Sequence, residues 1–438
     1  MAVRSAITLG INMKNTSAFT DSTSKEARNL VWWCLYSFEH MLGIMTGRAT
    51  CILDGVSTAP LPLPFEGDQL QEPLAARLLN DIDLRNEYVG NVMASSFLRQ
   101  MSTNPFGGTD AKHTDTPRDV KWLQSLPPTN ALCYLYYADL AVVSQEIVNR
   151  VYSPDCAMVP WAHIENRIGV LRSRIDLWQV NLHRSFDFTR RDTDDPELVR
   201  CRLFLAFHYY SARITLGRPC LCRRDAHLGS QGNKKPSFSH VMAVITLESA
   251  FQMLDLIPGL PDAIQLYEIG PWWCVLHYLM QAVTVLLLEL SFGSIHVPDK
   301  EREILESAKK GTRWLYFMSQ FSIASRRAWQ LCDLNLRKIA LGMNYDVSDM
   351  PTIDYEMHPD CPVVNGDHQR DSEQLQPYEG MDPFTYTSAD VPSTLPQNQP
   401  LPPQYTNFND PVTGEFIRSF FPSFHAEELG DPELGVDF

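Results

Sequence analysis

The sequence predicts an all-α body followed by a polar, acidic tail, and three observations carry that expectation. Apolar residues recur at three- and four-residue steps through a series of long segments. No strand-like alternation lies between those segments. After residue 345 the composition turns to Pro, Asp, Glu, Gln and Ser with isolated aromatics, a mixture too polar to bury a core. The division expected is a multi-helix bundle over 1–345 and a disordered tail over 346–438.

The elements follow in order. Residues 26–45 place Leu30, Val31, Cys34, Leu35, Phe38, Met41, Leu42 and Met45 at helical spacing. Thr23 followed by Glu26 predicts a reciprocal cap at the start of that helix, and Gly47 predicts its end. Residues 47–64 close on Pro60, Leu61, Pro62, Leu63 and Pro64, and alternating prolines force an extended connection. Helical patterns then run over 120–126, 130–152, 159–182, 196–216, 239–256, 271–292 and 302–340, with Pro196 and Pro271 suited to opening turns. Stretches 104–117 and 221–236 are rich in Gly, Asp, Lys and Pro and read as surface loops. The most apolar stretch, 272–288, contains His277 and Gln281 and ends at Glu289. It falls short of the roughly 20 clean apolar residues a bilayer requires, so a core helix is expected and no membrane.

Charge separates the two parts. The chain carries a formal charge of -15, yet the tail holds 18 acidic residues against Arg370 and Arg418, and the body carries +1. Neither part offers a basic face for phosphate, which argues against direct DNA contact. The ten cysteines, among them Cys34, Cys51, Cys133, Cys156, Cys201 and Cys274, are scattered, and no secretory signal precedes them. A reducing compartment and ordinary buried thiols are expected; Cys220 and Cys222 are one residue too close for a zinc knuckle.

Catalytic constellations are missing from the pattern. Neither a glycine-rich phosphate loop nor a G-x-S-x-G turn nor an H-E-x-x-H pair is present. Asp192, Asp194 and Asp195 stand just before Pro196, where negative charge suits a helix start better than a metal. Asp81, Asp83, Arg85 and Glu87 mix signs and read as a solvated face. His40, His208 and His277 fall in aromatic-rich helices and read as core or boundary histidines. No catalytic, cofactor-binding, metal-binding or DNA-binding residue is assigned, and no cofactor. The basic pairs Arg223 with Arg224, Lys234 with Lys235, and Arg326 with Arg327 fit either solvated surface or fragments of nuclear import signals. In the tail, Tyr355, Tyr378, Phe416, Phe420, Phe421 and Phe424 stand near acids. That mixture suits coactivator grooves, and it suits a merely solubilising tail equally.

Read together, EARNLVWWCLYSFEHMLGIMTGRATCILDGVSTAPLPLP resembles the middle homology region of fungal zinc-cluster regulators, the fungal-specific transcription factor domain. The matching positions are Arg28, Val31, Trp32, Trp33, Tyr36, Glu39, Gly47, Arg48, Ile52, Asp54, Leu61 and Pro62. Ala49 stands where the family usually has Pro. Residues 6–12 resemble the family's small-residue helix, 204–221 its Tyr-rich helix, and Pro271 to Trp273 with 325–331 its closing elements. On the residues themselves, Trp32, Trp33 and Tyr36 are expected to lock their helix against its neighbours, and Arg48 to pair with Asp54.

The resemblance implies the regulatory part of a nuclear regulator of RNA polymerase II transcription. Its implied partners are coactivators on the tail, a small-molecule effector and a second copy of the chain. The six-cysteine zinc cluster of that family is not found in this sequence, and the chain is expected to start inside the homology region. A helical adaptor or dominant-negative regulator without DNA contact remains an alternative, and an all-α enzyme a further one.

Overall fold

A computed structural model describes residues 2–17, 19–48, 50–52, 55–96, 120–223 and 236–352. Thirteen α-helices and no β-strand occur among them. They are α1 (Ala2–Thr8), α2 (Ser22–Thr46), α3 (Pro73–Asn80), α4 (Ile82–Arg85), α5 (Lys121–Ser125), α6 (Asn130–Val151) and α7 (Trp161–Asn181). The remainder are α8 (Pro196–Leu221), α9 (Phe238–Asp255), α10 (Ala263–Ile269), α11 (Trp272–Ser291), α12 (Glu301–Ser319) and α13 (Ile323–Met343). They lie in one compact unit, Met1–Ser348. The expected tail falls almost wholly outside the described residues, as does the loop expected at 104–117.

The all-α class is as expected, with four local corrections. The segment expected as one helix over 302–340 is two, α12 and α13, broken at residues 320–322, where the Ser322 side chain accepts from the Ser325 amide and starts α13. Helices α3, α4 and α10 were not expected. The start of α2 is capped by Asp21, whose carboxylate accepts from the Ser24 amide at 2.9 Å; Thr23 and Glu26 form no reciprocal cap there. Gly47 does end α2, in the left-handed conformation at φ 64°, where a Cβ would be strained.

The fourth correction concerns which face of α2 is buried. Leu30, Val31, Cys34 and Phe38 are exposed, and the inner face is Glu26, Asn29, Trp32, Trp33, Ser37, His40 and Gly43. Hydrogen bonds explain this choice. The extended segment after α2 returns along it and is fastened by three of its side chains. Glu39 accepts from the Cys51 amide at 3.0 Å, Trp33 Nε1 donates to the Pro60 carbonyl at 2.7 Å, and Glu26 accepts from the Leu63 amide at 2.7 Å. Prolines 60, 62 and 64 have no amide proton to satisfy, and Leu61 and Leu63 are buried. The strap therefore meets α2 with two amide donors and one carbonyl acceptor, each matched by a side chain of the helix.

Arg85 closes this arrangement. Its guanidinium grips Glu26 with two bonds, Nη1 to Oε2 at 2.6 Å and Nη2 to Oε1 at 3.0 Å, and also donates to the Leu61 carbonyl. Both side chains are under one-tenth exposed, at 5% and 8%. The expectation of a solvated face holds for Asp81, Asp83 and Glu87 and fails for Arg85. Alternation of signs in sequence says nothing about a partner 59 residues away.

The rest of the unit is layered helix on helix. Helices α8 and α9 approach closely at Gly217, where a Cβ would stand 2.0 Å from Thr246 Oγ1 and 3.1 Å from the Met242 carbonyl. Trp178 stacks on Tyr209 with centroids 5.7 Å apart and donates to the Tyr136 carbonyl at 2.9 Å, joining α6, α7 and α8. Trp314 anchors α12 by donating to the Pro258 carbonyl at 3.0 Å. Helix α11 is long and apolar enough to cross a membrane by composition, yet most of it is buried against α9, α12 and α13, as a core helix should be.

Candidate functional site

Where α2, α6, α8 and α11 meet, their side chains leave a cleft of about 290 Å³. Helix α2 contributes Cys34, Ser37, Phe38 and Met41, α6 contributes Tyr134 and Tyr137, and α8 contributes Phe204, Phe207 and His208. Pro271, between α10 and α11, lines it together with Trp273 and Tyr278 of α11. The rings are mutually oriented. Phe207 stacks on Tyr278 at 5.0 Å, Tyr137 meets Phe204 edge to face at 4.7 Å, and Phe38 meets Trp273 edge to face at 6.3 Å across the mouth.

Beneath it lies a second, water-sized cavity of about 30 Å³ that shares Met41, Tyr137, His208 and Tyr278 with the cleft. His40, His208 and His277 all line it. The tautomers follow from their partners. His208 Nδ1 lies 2.7 Å from the Phe204 carbonyl and must donate, so its Nε2 accepts from the Tyr278 hydroxyl at 3.1 Å. His40 Nδ1 donates to Gln145 Oε1 at 2.8 Å, which leaves its buried Nε2 as a bare acceptor. His277 Nε2 is likewise buried with no protein partner.

Burial pushes all three rings down from the ordinary 6.5 to about 4, and they stay neutral at physiological pH. For His40 and His277 the neighbouring His208 adds to that effect, and for His277 Arg218 does so as well. The expectation of core or boundary histidines fits each ring alone. Their convergence on one cavity was not expected, because they stand on three helices and no local spacing links them.

The other singled-out residues are placed elsewhere. Asp195 caps α8 by accepting from the Glu197 amide, and Asp192 pairs with Arg202 at 2.7 Å, so both serve the helix start. Arg202 and the local bonds of Asp192 hold that carboxyl below its ordinary value. No group of three His, Cys, Asp or Glu side chains among the described residues converges as a metal site. Cys133, Cys220, Cys274 and Cys332 are buried as expected, whereas Cys34 and Cys51 are exposed, a correction to the expectation of buried thiols. Arg223 lies over the Trp161 ring at 4.5 Å, which ties it to the bundle, and Arg327 is exposed. Trp32 and Trp33 are buried as expected. Asp54 lies outside the described residues, and with it the expected pairing to Arg48.

Two sides of the cleft, α2 and α6, fall in a segment with a family signature. Residues 1–157 match the family model of the fungal specific transcription factor domain. The N-terminal part of this chain is a fungal specific transcription factor domain. Transcription regulator galc of Aspergillus niger is 32% identical over 385 residues, which is 80% of this chain and 45% of that protein. Transcription factor FBD3 of Gibberella moniliformis is 21% identical over 299 residues, covering 65% of this chain and 33% of that protein. An uncharacterized transcriptional regulatory protein of Schizosaccharomyces pombe is 25% identical over 137 residues, covering 30% and 17%. The chain thus spans less than half the length of each of these relatives. No solved structure matches it. The family model stops at residue 157, so the resemblance expected as far as residue 340 is carried beyond that point by the alignment to galc and not by the family model.

Proposed function

We propose that this protein regulates transcription by RNA polymerase II in the nucleus, with the helical unit as a regulatory module and residues 346–438 as the segment that engages coactivators. The observation that carries the reading is the fungal specific transcription factor domain at 1–157, supported by relatives named as transcription regulators over most of this chain. The near-neutral charge of residues 1–345 supports placing DNA contact outside this chain. The module is non-catalytic in this reading: its three histidines are neutral and packed among aromatic rings, with no carboxylate among the residues lining their cavity.

The test tethers the whole chain to a heterologous DNA-binding module upstream of a reporter. The tethered chain is expected to raise reporter output above the DNA-binding module alone. Replacing Phe416, Phe420, Phe421 and Phe424 by Ala is expected to abolish the rise. Output equal to that of the module alone contradicts the reading of the tail.

A further inference from the structure

The cleft between α2, α6, α8 and α11 carries more than its position. Its volume, about 290 Å³, is about twice the ~150 Å³ of an apolar cavity that holds one benzene ring. Two fused rings therefore match it, and the flat faces of Tyr137, Phe207, Tyr278 and Trp273 suit stacking or edge contact with such a ligand. No Asp, Glu, Lys or Arg lines it among the described residues, its one histidine, His208, is neutral, and burial keeps the phenols of Tyr134, Tyr137 and Tyr278 protonated. A charged ligand would lose its hydration there without a counter-ion.

Two of the hydroxyls in the lining make no well-formed hydrogen bond. Ser37 Oγ is buried, the residue being 2% exposed, and has no hydrogen-bond partner. The Tyr134 hydroxyl is likewise buried, close enough to the Cys34 thiol and the Ser37 hydroxyl for both to bear on its acidity, yet it makes a well-formed hydrogen bond to neither. Buried hydroxyls without partners are uncommon, and here both belong to the lining of one cavity.

We infer that the cleft is a binding site for a neutral, flat small molecule of about two fused rings bearing a hydroxyl group, which meets the hydroxyls of Ser37 and Tyr134. The consequence for gene control rests on the regulatory reading above. The binding itself does not, since it is measured on the isolated chain. Helices α2 and α6, which carry the two hydroxyls, both lie in the transcription factor domain.

The test uses the full chain with 2-naphthol as probe, 2-naphthoate as its charged counterpart and naphthalene as its counterpart without the hydroxyl. By titration calorimetry 2-naphthol is expected to bind saturably at one site and 2-naphthoate at least about tenfold more weakly, because its carboxylate must be desolvated. Tyr134→Phe is expected to weaken 2-naphthol by about fivefold, the scale of one hydrogen bond, and to leave naphthalene unchanged. A structural defect would weaken both. Alkylation supplies a second measurement that needs no variant. Cys34 lines the cleft and is exposed, whereas Cys51 is exposed and does not line it. Saturating 2-naphthol is expected to slow N-ethylmaleimide attack on Cys34 by about tenfold or more and to leave Cys51 unaffected. No saturable binding, equal binding of the naphthoate, an unaltered affinity in Tyr134→Phe, or unprotected Cys34 overturns the inference. Each of those failures leaves the transcriptional reading standing, and a silent tethered reporter with intact 2-naphthol binding overturns only that reading.

Discussion

Replacing Glu26 by Gln keeps the shape of the side chain and removes its charge, which isolates what the Glu26 and Arg85 pair does for the strap. In the native chain the carboxylate accepts two bonds from the guanidinium, one from the Leu63 amide at 2.7 Å and one from Asn29 Nδ2 at 3.2 Å. The amide has one oxygen where the carboxylate has two, so at least one guanidinium bond is lost. The cation is then left without a counter-ion in a site where both side chains are under one-tenth exposed. Uncompensated buried charge of this kind costs about 3–5 kcal/mol. Urea unfolding followed by tryptophan fluorescence should therefore show Glu26→Gln destabilised by that amount. Arg85→Met should be destabilised similarly. The double variant should cost less than the sum of the singles by about 1.5 kcal/mol or more, because it leaves no orphaned charge. A loss below about 1 kcal/mol in Glu26→Gln, or additive singles, would refute the claim that this ion pair fastens the strap to α2.

Three further outcomes follow from the geometry. Gly217→Ala should destabilise the unit by about 1–3 kcal/mol in the same urea assay, because the new methyl group meets Thr246 Oγ1 at 2.0 Å in the α8 and α9 crossing. Trp33→Phe removes the donor to the Pro60 carbonyl and should cost about 1 kcal/mol, with faster amide exchange at Leu61 and Leu63 than in the native chain. Stability should fall as pH drops from about 6.5 toward 4, since the unfolded chain takes up protons at the ordinary histidine value while His40, His208 and His277 resist protonation until about 4. Each ring accounts for about 2 kcal/mol between pH 7 and pH 5, and a urea midpoint for His277→Gln that falls as steeply as the native one would contradict its share.

The long helices were legible because each carries its own periodicity, as α6, α7, α9 and α11 show to within a residue or two at each end. What escaped was set by partners distant in sequence. Leu30, Val31 and Phe38 fit an apolar stripe on α2, but Glu26, Trp33 and Glu39 find hydrogen bonds to the strap and turn the helix the other way. Arg85 stands among acids in sequence and is buried by one acid 59 residues earlier. The break at residues 320–322 has neither Pro nor Gly, and only Ser322, as an N-cap, marks it. The cleft was invisible for the same reason as the histidine cavity: its lining is gathered from five helices and the link between α10 and α11, and each contribution alone resembles ordinary core.

The proposed role of this chain is the control of transcription, and it rests on the match of residues 1–157 to the fungal specific transcription factor domain. Rapid depletion of the protein in its own cells, followed by sequencing of nascent transcripts, tests that claim most directly. If the protein regulates transcription, a discrete set of RNA polymerase II transcripts should change before any metabolite does. Unchanged nascent transcription alongside an accumulating metabolite would contradict it and point to catalysis instead.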